Sequence, residues 1–532
     1  MNPRRLLVAY ALANAVLYSL LLPLWEGFDE PFHFAYVQGL ANGQGLPDPR
    51  TARLSGEVGA SILLAPASHV VKQNLPQVTL YAQYFSWPAP RRAEVQRQLL
   101  EIPASLRWQP SQFVNYEAHH PPLAYILLAL PERVLARVPL PVRVAILRII
   151  AAATGSLLLL SGAERLFLQI GTRGCYSAVA LFCLFSCQMT WATLAHVGND
   201  WLAVPIAVWT LVALNRYYAS PSLRTAALIG AILAAGLLTK AYFLALVPLV
   251  AGLCASRRRW REFAVASVIL CGLAGPWYAR NLVRYGVLTG TQESRAGVDL
   301  HEVLNAAPTL NWPAVISSSV RSSLWTGNNT FSAFSAKTLN VLIGTGLMAL
   351  LLWATSRHAS AECITFYYCA LFVLALGYAA TVSYIYTHGA AVGPSPWYAQ
   401  VLSAPLLGLA LLGASRWQWL GRVVTVFFVV LFGYILAATY AVKLIPLYGG
   451  YEGRTSVSGV IILYAHRLRT LTASLDTVTL APAGVVCLLA GITIVLAVVQ
   501  QVVLIRCTLA RKWPTSSAAP SRPSRSTPPP PP

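Results

Sequence analysis

Long apolar runs that recur along the chain constrain its fold more than any other feature. Several reach the ~20 residues that cross ~30 Å of hydrocarbon as an α-helix, and others approach that length. Hydrophobic residues make up 56% of the 532-residue sequence, and charged residues only 11%. The sequence therefore predicts an all-α, polytopic integral membrane protein.

About twelve transmembrane helices are predicted. They lie at 6–25, 143–162, 174–195, 201–218, 224–239, 242–255, 262–280, 338–356, 361–382, 398–414, 422–441 and 483–505. An even number of crossings places both termini on the same side, and most arginines between spans fall on that side, as at Arg257, Arg258 and Arg259. The positive-inside rule makes this side the cytoplasm. The same bias explains the formal charge of +21, so no nucleic-acid partner is predicted.

The first extracytoplasmic loop, about 26–142, is too long for a simple turn. Within it, Phe32, Tyr36, Val37 and Leu40 share one helical face, which predicts an amphipathic helix at 31–41 lying on the membrane surface. The apolar stretch at about 121–138 is interrupted by charge and bracketed by proline, so a span and a juxtamembrane helix both remain open.

Residues 1–512 are predicted to form one polytopic domain, beginning with an uncleaved anchor. The Pro- and Ser-rich tail at 513–532 is predicted to be disordered and cytoplasmic. All nine cysteines fall in or beside apolar segments, without zinc-type spacing, so no structural disulfide is implied.

Ionisable residues gather on the predicted outer side. Glu26, Asp29, Glu30 and His33 directly follow the first span, where a carboxylate is costly unless it has a partner or a function. An interfacial helix cap is the alternative, since acids favour the positive end of a helix dipole. Further candidates on this side are His119, His120, Asp200, Lys240, Arg280 and Arg284.

Five short motifs occur in order on that side. They are Asp29-Glu30, the sequence His120-Pro121-Pro122-Leu123, Asp200, Leu238-Thr239-Lys240, and Trp277-Tyr278-Ala279-Arg280-Asn281. Over about residues 1–290 the chain resembles the GT-C superfamily of membrane glycosyltransferases. Within it, the resemblance is to the protein O-mannosyltransferases, the aminoarabinose lipid A transferases and their uncharacterised bacterial relatives.

This resemblance implies inverting transfer of a sugar from a polyprenyl-phosphate-linked donor to a hydroxyl of a glycan, lipid or protein. The reaction would take place at the outer face of a bacterial plasma membrane. Asp29, carried over from the Asp-Glu motif, would be the general base, with Glu30 as a second catalytic carboxylate. The predicted substrate and phosphate contacts are His33, His119, His120, Asp200, Lys240, Arg280 and Arg284.

A divalent metal is left open, with Asp29, Glu30, His33 and Asp200 as candidate ligands. No nucleotide-phosphate motif stands out, which suits a lipid-linked donor. The late outer stretch 393–398 lacks the arginine that many relatives carry there, so a late phosphate contact is not predicted.

Several residues also have a purely structural interpretation. Asp200 could cap the following span, Lys240 could snorkel to the interface, and Arg280 and Arg284 could lie among lipid headgroups. Two other functions remain alternatives. A polysaccharide polymerase or ligase typically depends on a large late outer loop, and a transporter or flippase is expected to place charge within its spans and to show repeats.

Overall fold

The computed structural model describes residues 3–75, 77–289, 297–324, 334–389, 393–451 and 457–510. The predicted C-terminal tail lies outside these residues. Strands in the described part form two small sheets of the first loop. Strand β1 (Arg53–Ser55) pairs antiparallel with β4 (Pro110–Val114), and β2 (Pro66–Ala67) pairs parallel with β3 (Thr79–Leu80).

The rest of the described structure is helical. In chain order the α-helices are α1 (Pro3–Leu21), α2 (Glu30–Ala41), α3 (Gly56–Leu64), α4 (His69–Asn74), α5 (Tyr81–Ser86), α6 (Ala89–Leu100), α7 (Leu123–Val134), α8 (Leu140–Ile170), α9 (Cys175–Ser186), α10 (Gln188–Leu194), α11 (Asp200–Ala219), α12 (Leu223–Leu237), α13 (Val247–Ser256), α14 (Trp260–Tyr285), α15 (Leu300–Ala306), α16 (Trp312–Leu324), α17 (Ala336–Ala354), α18 (Ser360–Tyr386), α19 (Ser403–Arg416), α20 (Trp419–Ala438), α21 (Ile445–Tyr448), α22 (Val457–Leu475) and α23 (Ala483–Ala510). Short 3-10 turns include Ala104–Trp108, Tyr116–His119, Ala241–Leu246 and Pro396–Leu402.

The polytopic all-α fold is confirmed. The predicted count of twelve spans is not, because fewer than twelve of the described helices are long enough to cross a membrane. Nine helices of the described residues are long and apolar enough to cross a membrane, and the α9–α10 pair, bent by 64°, makes a tenth. The other two predicted spans correspond to α12 and to Ala241–Ser256, which are shorter apolar helices. At 15 residues, α12 is about 22 Å long.

A contact nevertheless shows how the short helices are placed. Asp200 is the first residue of α11, Lys240 follows the end of α12, and their side chains form a buried ion pair. The ion pair therefore joins α11 and α12 at the end of the hairpin opposite their connecting turn. Tyr278, late in α14, donates a hydrogen bond to the carbonyl of Leu237, so α14 returns to the same level.

Helix α2 is present as predicted, but its predicted location on the membrane surface is wrong. Ten of its twelve residues are buried. Among them the polar residues Glu30, His33 and Gln38 each have partners inside the protein. Because these partners replace water, the helix can be enclosed on its polar side as well.

Helix α7 settles the open choice for the stretch at 121–138. Its 12 residues span only about 18 Å, too short to cross a bilayer. It packs along α2 and exposes an aliphatic face that includes Leu130 and Val134. It is a juxtamembrane helix of the first loop.

A buried ionic network holds the first loop to α8. Arg143 pairs with both Glu57 and Glu132, and Glu132 also accepts from Arg107 at 2.9 Å. The two acids balance the two arginines, so no net charge is buried. Breaking one partner of such a network typically costs ~3–5 kcal/mol.

Candidate active site

Asp29 lies in the turn between α1 and α2. Its backbone adopts the left-handed conformation, with φ of 53°, which Asp tolerates better than most residues. The side chain does not cap α2. Its Oδ1 instead accepts a 2.6 Å hydrogen bond from the Tyr116 hydroxyl. The cap interpretation therefore does not describe this half-buried carboxylate.

The environment of Asp29 favours its protonated form. Burial, followed by the nearby Glu117 carboxylate, raises the pKa of Asp29 to about 6, while the Tyr116 hydrogen bond, His196 and Lys240 act in the opposite direction. A carboxyl group with a pKa close to neutrality is well matched to general-base chemistry.

Glu30 is placed differently from the prediction. It is fully buried and forms a bidentate ion pair with Arg148, and its Oε1 also accepts from the backbone N–H of Val197 at 2.9 Å. Arg148 further donates to the carbonyls of Leu22 and Pro23. With both oxygens engaged, Glu30 positions the turn before α2 and is not free to act as a base or metal ligand.

His33 and the end of the first loop meet beside Asp29. His33 Nδ1 lies 2.8 Å from the Tyr125 hydroxyl, and its Nε2 lies 3.7 Å from Glu117 Oε2. His120 Nε2 is 2.6 Å from the same Glu117 oxygen. Burial lowers the pKa of His33 well below its usual range and that of His120 to about 3, so both rings are neutral.

Glu117, His119 and His120 form a set with metal-ligand chemistry. Their ligand atoms lie within 4.8 Å of one another. His119 Nδ1 is 2.6 Å from the Tyr116 carbonyl. A histidine that binds a metal through one ring nitrogen commonly donates to a carbonyl through the other. This set differs from the metal ligands predicted from the sequence, which are Asp29, Glu30, His33 and Asp200. Of those four, Glu30 and Asp200 are engaged in ion pairs.

Lys240 and Asp200 form a further part of this site. Both are almost fully buried, and Lys240 Nζ lies 4.6 Å from the centre of the Tyr398 ring. The late stretch 393–398 thus reaches the site through aromatic rings, although it lacks the arginine that many relatives carry there. The neighbouring Trp397 stacks on Phe28 with ring centroids 4.4 Å apart.

His196 and Asn199, which precede Asp200 in the chain, also belong to this site. Both ring nitrogens of His196 and both amide atoms of Asn199 are buried without a hydrogen-bond partner among the described residues. A Cβ at Gly27 would lie 2.6 Å from the His196 Cβ, and one at Gly198 would lie 2.5 Å from Nε2. Buried polar atoms are normally paired, so these point to a bound polar group or water.

The remaining two predicted residues are not part of this cluster. Arg280 donates to the Pro47 carbonyl at 3.0 Å and lies over the rings of Trp277 and Tyr285. Arg284 is exposed, and its backbone carbonyl accepts from Arg50. Both hold the first loop against the end of α14, so phosphate binding by these side chains is not what their contacts indicate.

Sequence reasoning missed several residues of the site. These are Tyr116, Glu117, Tyr125, Arg148, His196 and Tyr398. Arg148 had a detectable signal, because an arginine inside an apolar run is expensive and normally paired. Glu117 and His196 are adjacent to recognised motifs, but only the folded chain brings them to Asp29.

Two of the solved structures to which this chain is similar are structures of ArnT. The crystal structure of ArnT from Cupriavidus metallidurans bound to undecaprenyl phosphate matches with a TM-score of 0.42 and 14% identity, over 85% of this chain and 75% of that one. ArnT from the same organism in the apo state matches with a TM-score of 0.41 and 16% identity, over 84% and 74%. No family model and no curated protein matches the sequence. The assignments below rest on this chain's own residues.

Proposed function

We propose that this chain is an inverting glycosyltransferase that takes its sugar from a polyprenyl-phosphate donor at the outer membrane face. The observation that carries the proposal is that two chemically different groups lie close enough to act on one another. One is Asp29, whose pKa is raised to about 6, and the other is the buried Lys240 paired with Asp200. A base and a phosphate-binding cation are what such a transfer needs.

The step is a single displacement at the anomeric carbon. Asp29 takes the proton of the acceptor hydroxyl as the acceptor oxygen bonds to the carbon. The bond from that carbon to the phosphate oxygen breaks, and the polyprenyl phosphate leaves with the electron pair. Lys240 stabilises the negative charge that develops on this phosphate.

His196 and Asn199 are suited to hold the sugar. Their unpaired buried atoms supply both donors and acceptors, which is what hydroxyl groups require. Trp397 and Tyr398 add aromatic surface to the same site, through their contacts with Phe28 and Lys240. Leaving these polar atoms unpaired costs ~1–3 kcal/mol per group, so a sugar that pairs them gains that amount.

A divalent cation fits the set formed by Glu117, His119 and His120, whose donors are one carboxylate and two imidazoles. When bound, it would supply positive charge beside Asp29 and favour the deprotonated base. The residues themselves hold the loop end against α2 through the contacts of Glu117 with His33 and His120.

The proposal is tested by mass-spectrometric sugar transfer with the purified full-length protein in nanodiscs. A panel of polyprenyl-phosphate sugars is offered with glycan, lipid and peptide acceptors, with and without chelator. Asp29→Asn is expected to lower the rate by about 10²–10⁴-fold, as loss of a general base does. Asp48→Asn is the matched control, because Asp48 lies in the same loop and its side chain accepts a local hydrogen bond from the backbone N–H of Arg50.

Full activity of Asp29→Asn would refute the base assignment. Absence of transfer from every donor, together with movement of a lipid-linked sugar across proteoliposomes, would favour the transporter alternative.

A further inference from the structure

A recess lies in the first loop, away from the site described above. It has a volume of about 410 Å³ and is bounded by the ends of α2 and α7 and by the 3-10 turn Ala104–Trp108. Three arginines line it: Arg107, Arg133 and Arg137. From Leu123, beside the His120 motif, to Arg133 is ten residues of helix, or about 15 Å, so this recess is separate from the reaction centre.

The three arginines differ in how their charge is balanced. Arg107 is buried, pairs with Glu132 at 2.9 Å and donates to Asn42 at 2.6 Å. Arg133 and Arg137 are exposed and form no hydrogen bond or ion pair with any other described residue. Arg107 is therefore neutralised, while the other two contribute two positive charges.

Helix ends offset part of that positive charge. The C-termini of α2 and α7 both border the recess, and each carries about half a negative charge. Subtracting these from two arginines leaves a net charge of about +1. A phosphate monoanion matches both this charge and the fork geometry of the guanidinium groups.

The surroundings indicate where such a phosphate would come from. Trp108 is 61% exposed at the rim, and the neighbouring face of α7 exposes Leu130 at 64% and Val134 at 84%. Exposed indole and aliphatic groups beside arginine are typical of a membrane interface.

We infer that this recess, which we call the arginine pocket, binds a phosphate monoanion of the kind found in lipid headgroups. The arginine pocket is distinct from the Lys240–Asp200 ion pair. Binding of phosphate there does not depend on the proposed transferase activity. Arg133 and Arg137 clamp the phosphate oxygens, and Arg107, held by Glu132, forms the floor.

Native mass spectrometry of the full-length protein tests this binding. The protein is ejected from micelles containing equal amounts of phosphatidylglycerol and phosphatidylcholine. The wild type is expected to retain phosphatidylglycerol preferentially, because the choline ammonium of phosphatidylcholine offsets its phosphate charge and is repelled by the arginines. Arg133→Gln/Arg137→Gln is expected to retain about tenfold less phosphatidylglycerol, since charge-assisted bonds to phosphate are lost. Arg133→Lys/Arg137→Lys should retain an intermediate amount, because the charge stays and the fork is removed.

The control is Arg467→Gln/Arg469→Gln, which removes two other exposed arginines and should retain phosphatidylglycerol like the wild type. Glycerol 3-phosphate is then added in increasing amounts. Retention that resists it assigns the pocket to lipid-borne phosphate, and displacement assigns it to free phosphate. Equal retention of the two lipids, or undiminished retention by Arg133→Gln/Arg137→Gln, would overturn the inference.

Discussion

At the scale of single residues, Asp29 and Tyr116 determine how the reaction depends on pH. The pKa of Asp29 is raised to about 6, so the carboxyl is protonated below that pH and cannot act as a base. The rate should therefore rise with pH through about 6. Because the Tyr116 hydroxyl lowers the pKa of Asp29, Tyr116→Phe should move this acidic limb to higher pH.

The measurement is the pH profile of single-turnover transfer for wild type and Tyr116→Phe. The other charged or titratable groups acting on Asp29 are Glu117, His196 and Lys240, and this variant leaves them unchanged. Tyr84→Phe is a suitable control, since the Tyr84 hydroxyl bonds the distant Thr477 carbonyl. An acidic limb that stays in place in Tyr116→Phe would show that Asp29 is not the titrating base.

At the scale of elements, the Glu30–Arg148 pair joins the turn before α2 to α8 and to the end of α1. Both side chains are fully buried, so Glu30→Gln leaves an uncompensated arginine. We expect a loss of ~3–5 kcal/mol, measured by denaturation in mixed micelles. Glu30→Gln/Arg148→Met should be less destabilised than Glu30→Gln alone.

The matched control for this pair is Arg4→Gln. Arg4 pairs with Glu164 at 2.9 Å, but its side chain is 66% exposed, so this substitution should cost less than ~1 kcal/mol. Equal losses for Glu30→Gln and Arg4→Gln would contradict the positioning role of Glu30.

At the scale of the whole molecule, the number of crossings decides where the C-terminus lies. Twelve crossings, or ten, place it on the same side as the N-terminus, which the positive-inside rule predicts to be the cytoplasm, whereas nine or eleven would place it on the opposite side. We expect a C-terminal green fluorescent protein fusion to fluoresce in a bacterial host and a C-terminal alkaline phosphatase fusion to be inactive. The reverse pattern would show that one of the short or bent helices does not cross.

Much of the fold follows from the sequence because apolar length and charge asymmetry are local properties. The spans of α8, α18 and α23 could be placed in this way. The location of α2 could not, since its Glu30 and His33 look suited to a water interface until Arg148 and Tyr125 are brought to them from α8 and α7.

The residues of the candidate site were likewise predictable from the sequence only in part. Asp29, His120, Asp200 and Lys240 belong to motifs with a recognisable order, and the structure brings them together. Arg280 belongs to such a motif too, yet it holds a loop carbonyl instead. Glu117 and His196 carry no motif, and their roles depend on distances that only the packed helices define.

Asp29 as the base and the Lys240–Asp200 pair as the phosphate-binding group have separable roles. Donor binding and sugar transfer are therefore measured separately, using a polyprenyl-phosphate sugar that the wild type accepts. Asp29→Asn should bind this donor like the wild type and fail to transfer its sugar. Asp200→Asn/Lys240→Met, which removes both charges so that neither is buried alone, should lose donor binding. Undiminished donor binding by Asp200→Asn/Lys240→Met, or unimpaired transfer by Asp29→Asn, would contradict this account.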